Sequence, residues 1–156
     1  MVLATTTDVG YRIMLLLHIL SVLVAFSPLF VMPMLARAGG EGTGGVLLTY
    51  LQRFATPAVV LAGFFGMAML GMSDKLYKFS QTWVSLALLL WILQVALFIF
   101  AILPAQRKAA AGDAEAARRL PMFTGMIHLL LLVLLYLMIW KPGAVTSAGD
   151  GRGLHR

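Results

Sequence analysis

The chain has 156 residues, of which 61% are hydrophobic and only 12% charged, with a net charge of +6 and no cysteine. A water-soluble domain carries about 25% charged residues, so this composition excludes an ordinary soluble globule. The missing cysteines exclude disulfides, thiolate metal sites and cysteine nucleophiles.

Four apolar stretches follow one another, at about Ile13–Leu35, Thr56–Met72, Gln81–Leu103 and Met122–Trp140, each suited to a membrane-spanning helix. Residues 1–10 are short and polar, and Thr5–Asp8 suits a cap for the first helix. From Ile13 the first stretch is apolar apart from His18, Ser21 and Ser27, with no charge before Arg37. At about 1.5 Å per residue it crosses a roughly 30 Å hydrocarbon core. It is too long for a removable signal peptide and lacks a small-residue cleavage site. Tyr11, Met14, His18, Ser21, Ala25, Pro28 and Met32 share one stripe, which should face protein because lipid cannot satisfy polar groups. Leu15, Leu16, Ile19, Leu23, Phe26 and Phe30 fall on the rest. Pro28 and Pro33 each remove a backbone donor, so the distal third should kink.

Residues 36–45 form a glycine-rich loop without the lysine of a phosphate-binding loop. Val46 to Phe54 is an amphipathic lead-in, lying at the interface or continuing into the second helix, and Pro57 marks a bend. In that helix Ala62 and Gly66 make a small-xxx-small pair beside Gly63, a pattern for close helix packing. Asp74 or Ser80 suits the cap of the third helix, which carries Trp91 and Gln94 near mid-depth. Gln94, with Ala87 and Ala101, marks an inward seam and calls for an interhelical hydrogen bond. Beyond Pro104 helix-forming residues continue to Gly112, which suits a helix end, while Asp113 suits a cap with Glu115 in the next first turn. Helices three and four should therefore project past the membrane as a hairpin. The fourth helix places Pro121, Thr124, Gly125, His128 and Leu132 on one face, with Thr124 bonding His128. It ends at Lys141–Gly143, before a disordered tail over 144–156. One transmembrane domain over 1–143 results: an all-α, polytopic, four-helix up-down bundle.

An even number of spans puts both termini on one side. Arg37, Arg53, Arg107, Lys108, Arg118 and Arg119 cluster at span ends on the other, which favours termini outside. The basic residues thus serve topology and lipid headgroups, and no aromatic-basic patch points to nucleic acid. All six acidic residues lie outside the spans, which disfavours a proton-coupled carrier. Serine hydrolysis lacks both an acid partner at depth and a GxSxG elbow. His18 and His128 are the intramembrane candidates for binding haem or a metal. They are offset towards opposite surfaces by roughly 13 Å, which strains a haem held by both and leaves one held by a single histidine open. Ten methionines raise a Cu(I) alternative, against gap-filling between helices.

The first-helix motif L-L-H-I-L-S-V-L-V-A-F resembles the opening of small bacterial four-helix integral membrane proteins of uncharacterised role. It is distantly similar to copper-resistance-D-type and protoporphyrinogen-oxidase-like membrane families. The likeness extends over about Val9 to Trp140 in length, span number and histidine placement. It implies a bacterial inner-membrane location. The oxidase-like family implies haem b at His18, but its third-helix lysine has no counterpart between Lys78 and Lys108. The copper-resistance relatives imply copper uptake. The expected role is non-catalytic: an accessory, assembly or scaffold protein that packs against itself or other membrane subunits. A haem-b redox protein using His18 is the alternative, and copper handling the second.

Overall fold

A computed structural model describes residues 8–38, 42–73 and 81–142. Among them the chain is helical, without strands, and forms four rods long and apolar enough to cross a membrane. The first rod is α1 (Val9–Ala38). The second joins α2 (Thr43–Tyr50), a π turn at Leu51–Ala55 and α3 (Thr56–Gly71) without a break. The third joins α4 (Thr82–Leu97), a π turn at Phe98–Ile102 and α5 (Leu103–Ala110). The fourth is α6 (Ala114–Trp140). The amphipathic lead-in therefore belongs to the second span, and Pro28 lies inside α1 without ending it. The caps suggested at Asp74 and Ser80, the side chains of Met32 and Pro33, and the tail 144–156 lie outside what is described.

Local chemistry sets the ends. Asp8 Oδ1 accepts from the Gly10 amide at 3.0 Å, satisfying an orphan donor of α1. Gly112 takes φ 95° between α5 and α6, a conformation that costs glycine little. Asp113 then caps α6, accepting from the Glu115 and Ala116 amides at 2.9 and 3.0 Å. Glu115 pairs with Arg119 one turn on.

The two middle rods are mirror images in construction. Each has 29 residues, built as 8, 5 and 16 in the second rod and as 16, 5 and 8 in the third. Because the rods run antiparallel, the π turns fall within about one turn of the same depth. Two contacts fix that register: Gln106 Nε2 donates to the Gly44 carbonyl at 3.4 Å and Trp91 Nε1 to the Val59 carbonyl at 2.8 Å. Each π turn ends just before a proline, Pro57 or Pro104. The wider turn moves the pyrrolidine ring off the carbonyl it would otherwise strike. At Pro57, the Thr56 hydroxyl also donates to the Leu51 carbonyl at 2.8 Å.

Two cores hold the rods. The larger joins Ala25, Phe26 and Leu29 of α1 to Leu51, Ala55, Val59, Phe98, Ile102 and Ile127. Both π turns thus lie inside the best-packed region. The smaller core joins Trp83, Val84, Ala87 and Leu137, flanked by Leu70, Leu90 and Leu134, and among the described residues includes none from α1. Two readings of helix faces need correction. Phe26, placed with the lipid-facing residues of the first helix, is only 4% exposed and meets Phe98 edge-on with ring centroids 6.1 Å apart. On α6 the buried positions are Ala116, Thr124, Ile127 and Leu137, whereas Pro121, Gly125 and Leu132 are exposed. Pro121 itself is exposed, so the stripe counted from it runs beside the buried side of this helix and meets it only at Thr124.

Candidate functional site

His18 is the polar centre of α1. Its Nδ1 lies 2.7 Å from the Ala62 carbonyl oxygen of α3. A carbonyl only accepts, so Nδ1 carries the proton in this contact, and in the tautomer with a single ring proton the lone pair is on Nε2. Gly66, one turn beyond Ala62, makes room for the ring: a Cβ there would sit 3.4 Å from His18 Cε1. Ser21 follows on the same face, partly buried.

A matching arrangement lies next to it on α3, since Val59, Ala62, Gly63 and Gly66 share one side of the helix. Trp91 of α4 lays its indole against Gly63, where a Cβ would come within 2.0 Å of Trp91 Cε2, and its Nε1 donates to the Val59 carbonyl. Ala62, Gly63 and Gly66 thus reduce α3 to bare backbone between two ring N–H donors. Each donor takes a second bond from a carbonyl already used within the helix, one bond per neighbouring span.

The remaining polar side chains are placed less simply. Pro28 deprives the Val24 carbonyl of its usual donor four residues on. Tyr50 Oη donates to that carbonyl at 3.2 Å, and Ser27 Oγ lies 3.5 Å from it and 3.3 Å from Tyr50 Oη. Gln94 is 1% exposed, but its Nε2 is buried without a partner, so the expected interhelical bond is absent. Thr124 is buried, yet no hydrogen bond joins it to His128; the His128 ring instead meets Phe30 at a centroid distance of 4.5 Å. Its Nε2 is also buried and unpartnered. Among the described residues, nothing lies within 4 Å of a Cβ built at Gly125.

These contacts separate the two histidines. His18 lies at the depth of Ala62, whereas His128 meets Phe30, twelve residues further along α1. At 1.5 Å per residue the two levels differ by about 18 Å, too far for one iron or copper ion to take both. Among the described residues, no three histidine or carboxylate groups come together around a possible ion. Gly63 was read as a packing position, but that Trp91 fills its notch, and the Tyr50 bond, escaped sequence reasoning. Pro28 itself was the signal for the second, since a proline inside a span requires a donor for the carbonyl four residues back.

Comparison of the chain with protein-family models, curated proteins and solved structures gives no match.

Proposed function

We propose that this chain is a non-catalytic integral membrane protein, an accessory or assembly subunit that works through its lateral surface. What supports this is how its polar groups are spent. His18, Trp91, Tyr50 and Thr56 each bond a backbone carbonyl of the bundle itself. No more than 22% of any span's apolar window is buried within the chain, leaving most of each rod to meet lipid or protein. The hairpin end carries Arg53, Arg107, Lys108, Arg118 and Arg119, which supports a cytoplasmic position for that end and termini outside. The test is purification from native membranes in mild detergent. A subunit recovered at constant stoichiometry is the expected result; a clean single species that alone restores the phenotype of a deletion strain would refute the reading.

A second reading has one observation in its favour. A histidine that donates Nδ1–H to a backbone carbonyl presents an oriented Nε2 lone pair, the arrangement common among metal-ligating histidines. His18 would then hold a haem b through Nε2, with Ala62 and Gly66 fixing the ring. The haem would supply one-electron chemistry, with His128 taking no part. A Soret band in protein from haem-replete cells, lost in His18→Ala and retained in His128→Ala, is the expected signature. Colourless wild-type protein would remove the haem. Copper held jointly by His18 and His128 is disfavoured by the separation of their levels.

A further inference from the structure

At the hairpin end the second and third rods meet closely along the seam between α2 and α5. A Cβ built at Gly44 would lie 3.7 Å from Ala110 Cα, and the buried Gln106 reaches the Gly44 carbonyl. At the exposed surface of this seam, Gln52 turns its amide oxygen to Arg107 and accepts from Nε at 2.9 Å and Nη2 at 3.1 Å. An amide carbonyl fixes the direction of a guanidinium without cancelling its charge. Two of the five N–H donors of Arg107 are used in this way, which leaves three. Among the described residues no carboxylate pairs with Arg107 or with Arg53, the residue after Gln52. Glu115 is committed to Arg119, and Asp113 to the cap of α6. Depth is set by the antiparallel rods, because long side chains on a helix lean towards its N-terminus. With Gly44 opposite Ala110, Gln52 starts roughly 8 Å deeper in the bundle than Arg107, at 1.5 Å per residue. Gln52 therefore leans outward and Arg107 inward, so they meet near Leu103 and Pro104, where the third apolar stretch ends. Arg53, exposed on the same rod as Gln52, leans the same way. Both guanidinium groups are thus drawn to the edge of the hydrocarbon layer.

We propose that this seam binds an anionic phospholipid, whose phosphate oxygens take the remaining Arg107 donors while Arg53 supplies a second positive charge. A phosphate matches the fork of a guanidinium, and hydrogen bonds between charged partners are the strong ones. At this depth the acceptors that reach the seam are the phosphates of the adjoining leaflet. A zwitterionic lipid brings its own ammonium group close to the two cations, so an anionic headgroup is the better partner. Gln52 is a positioning residue. It holds the Arg107 guanidinium at phosphate depth, so less side-chain freedom is lost when lipid binds. That orientation separates a site from the diffuse attraction of Lys108 and Arg118 for a charged surface. The site stands whether or not the chain is an accessory subunit.

The test offers phosphatidylglycerol or phosphatidylcholine to delipidated protein in detergent and counts bound lipid by native mass spectrometry. Phosphatidylglycerol is expected to bind in preference to phosphatidylcholine. Arg107→Gln should weaken phosphatidylglycerol binding about tenfold, through loss of charge-assisted hydrogen bonds. Gln52→Leu keeps every charge and should still weaken it about threefold, because the guanidinium loses its orientation. Arg118→Gln removes one charge at the same end and should weaken it less than about twofold at physiological ionic strength, where distant charges are screened. All three positions are exposed, so the unfolding temperature without lipid should stay where it is. Equal losses in Arg107→Gln and Arg118→Gln, full binding in Gln52→Leu, or equal binding of the two lipids would each overturn the site. Displacement of phosphatidylglycerol by millimolar inorganic phosphate would reveal a free-anion site and overturn the lipid as its occupant.

Discussion

Gly63 and Gly66 look alike in the sequence, three residues apart in one apolar span, yet their surroundings give them different tolerances. A Cβ at position 63 would occupy the Trp91 indole, whereas at position 66 it would touch the His18 ring at 3.4 Å. Gly63→Ala should therefore destabilise by about 1–3 kcal/mol through overpacking, and Gly66→Ala by less than about 1 kcal/mol, as read from thermal unfolding in detergent. Equal losses would mean that the indole does not fill the notch. Tyr50→Phe leaves the Val24 carbonyl with only the long contact to Ser27, and should cost about 1 kcal/mol by the same measurement. Asp113→Ala should cost about 1 kcal/mol through loss of a cap that serves two amides, read as faster hydrogen exchange in the first turn of α6. Glu115→Gln should move stability by less than about 0.5 kcal/mol, because both members of its ion pair are more than half exposed.

At the scale of elements, the second π turn puts two nearby aromatic rings to opposite uses. Phe98 is buried against Phe26 in the larger core, while Phe100, two residues later in the same turn, faces outward. Phe98→Ala should cost about 3–5 kcal/mol, the range for deleting a buried aromatic ring. Phe100→Ala should leave the unfolding temperature in detergent nearly unchanged, because its ring is 78% exposed. A large loss in both would mean that Phe100 is core rather than surface. The prolines following each π turn were visible in the sequence, Pro57 read as a bend and Pro104 as the end of the apolar part of the third span. What they accompany is an extra residue in the turn before, and that residue was not legible. A π turn costs hydrogen-bond geometry, and only the packing of Leu51, Ala55, Phe98 and Ile102 into one core makes that cost acceptable.

For the whole molecule, the two cores divide labour along the membrane normal. The larger joins all four rods towards the hairpin end, whereas the smaller fastens only the second, third and fourth towards the termini. Among the described residues, the His18–Ala62 bond ties the N-terminal half of α1 to α3. Single cysteines introduced at the hairpin end, near Gly112, should react with membrane-impermeant maleimide only after the membrane is opened, if the termini are outside. Labelling of intact cells at that position would reverse the orientation.

The sequence alone determined that four helices cross an apolar medium, because spans of this length without charge have no other low-energy solvent. It also determined the Gly112–Asp113 hairpin, whose conformation and capping depend on residues adjacent in the chain. Only the tertiary structure decided what each polar side chain does. Gln94 and His128 end with buried nitrogens that have no partner, while His18 and Trp91 find carbonyls on the same neighbouring helix. The physical reason is that a carbonyl already used within a helix offers its second lone pair wherever small residues let a neighbour come close. Which neighbour comes close is set by the rotation and depth of the packed rods, which hydrophobic periodicity leaves undefined when a helix is apolar on every side.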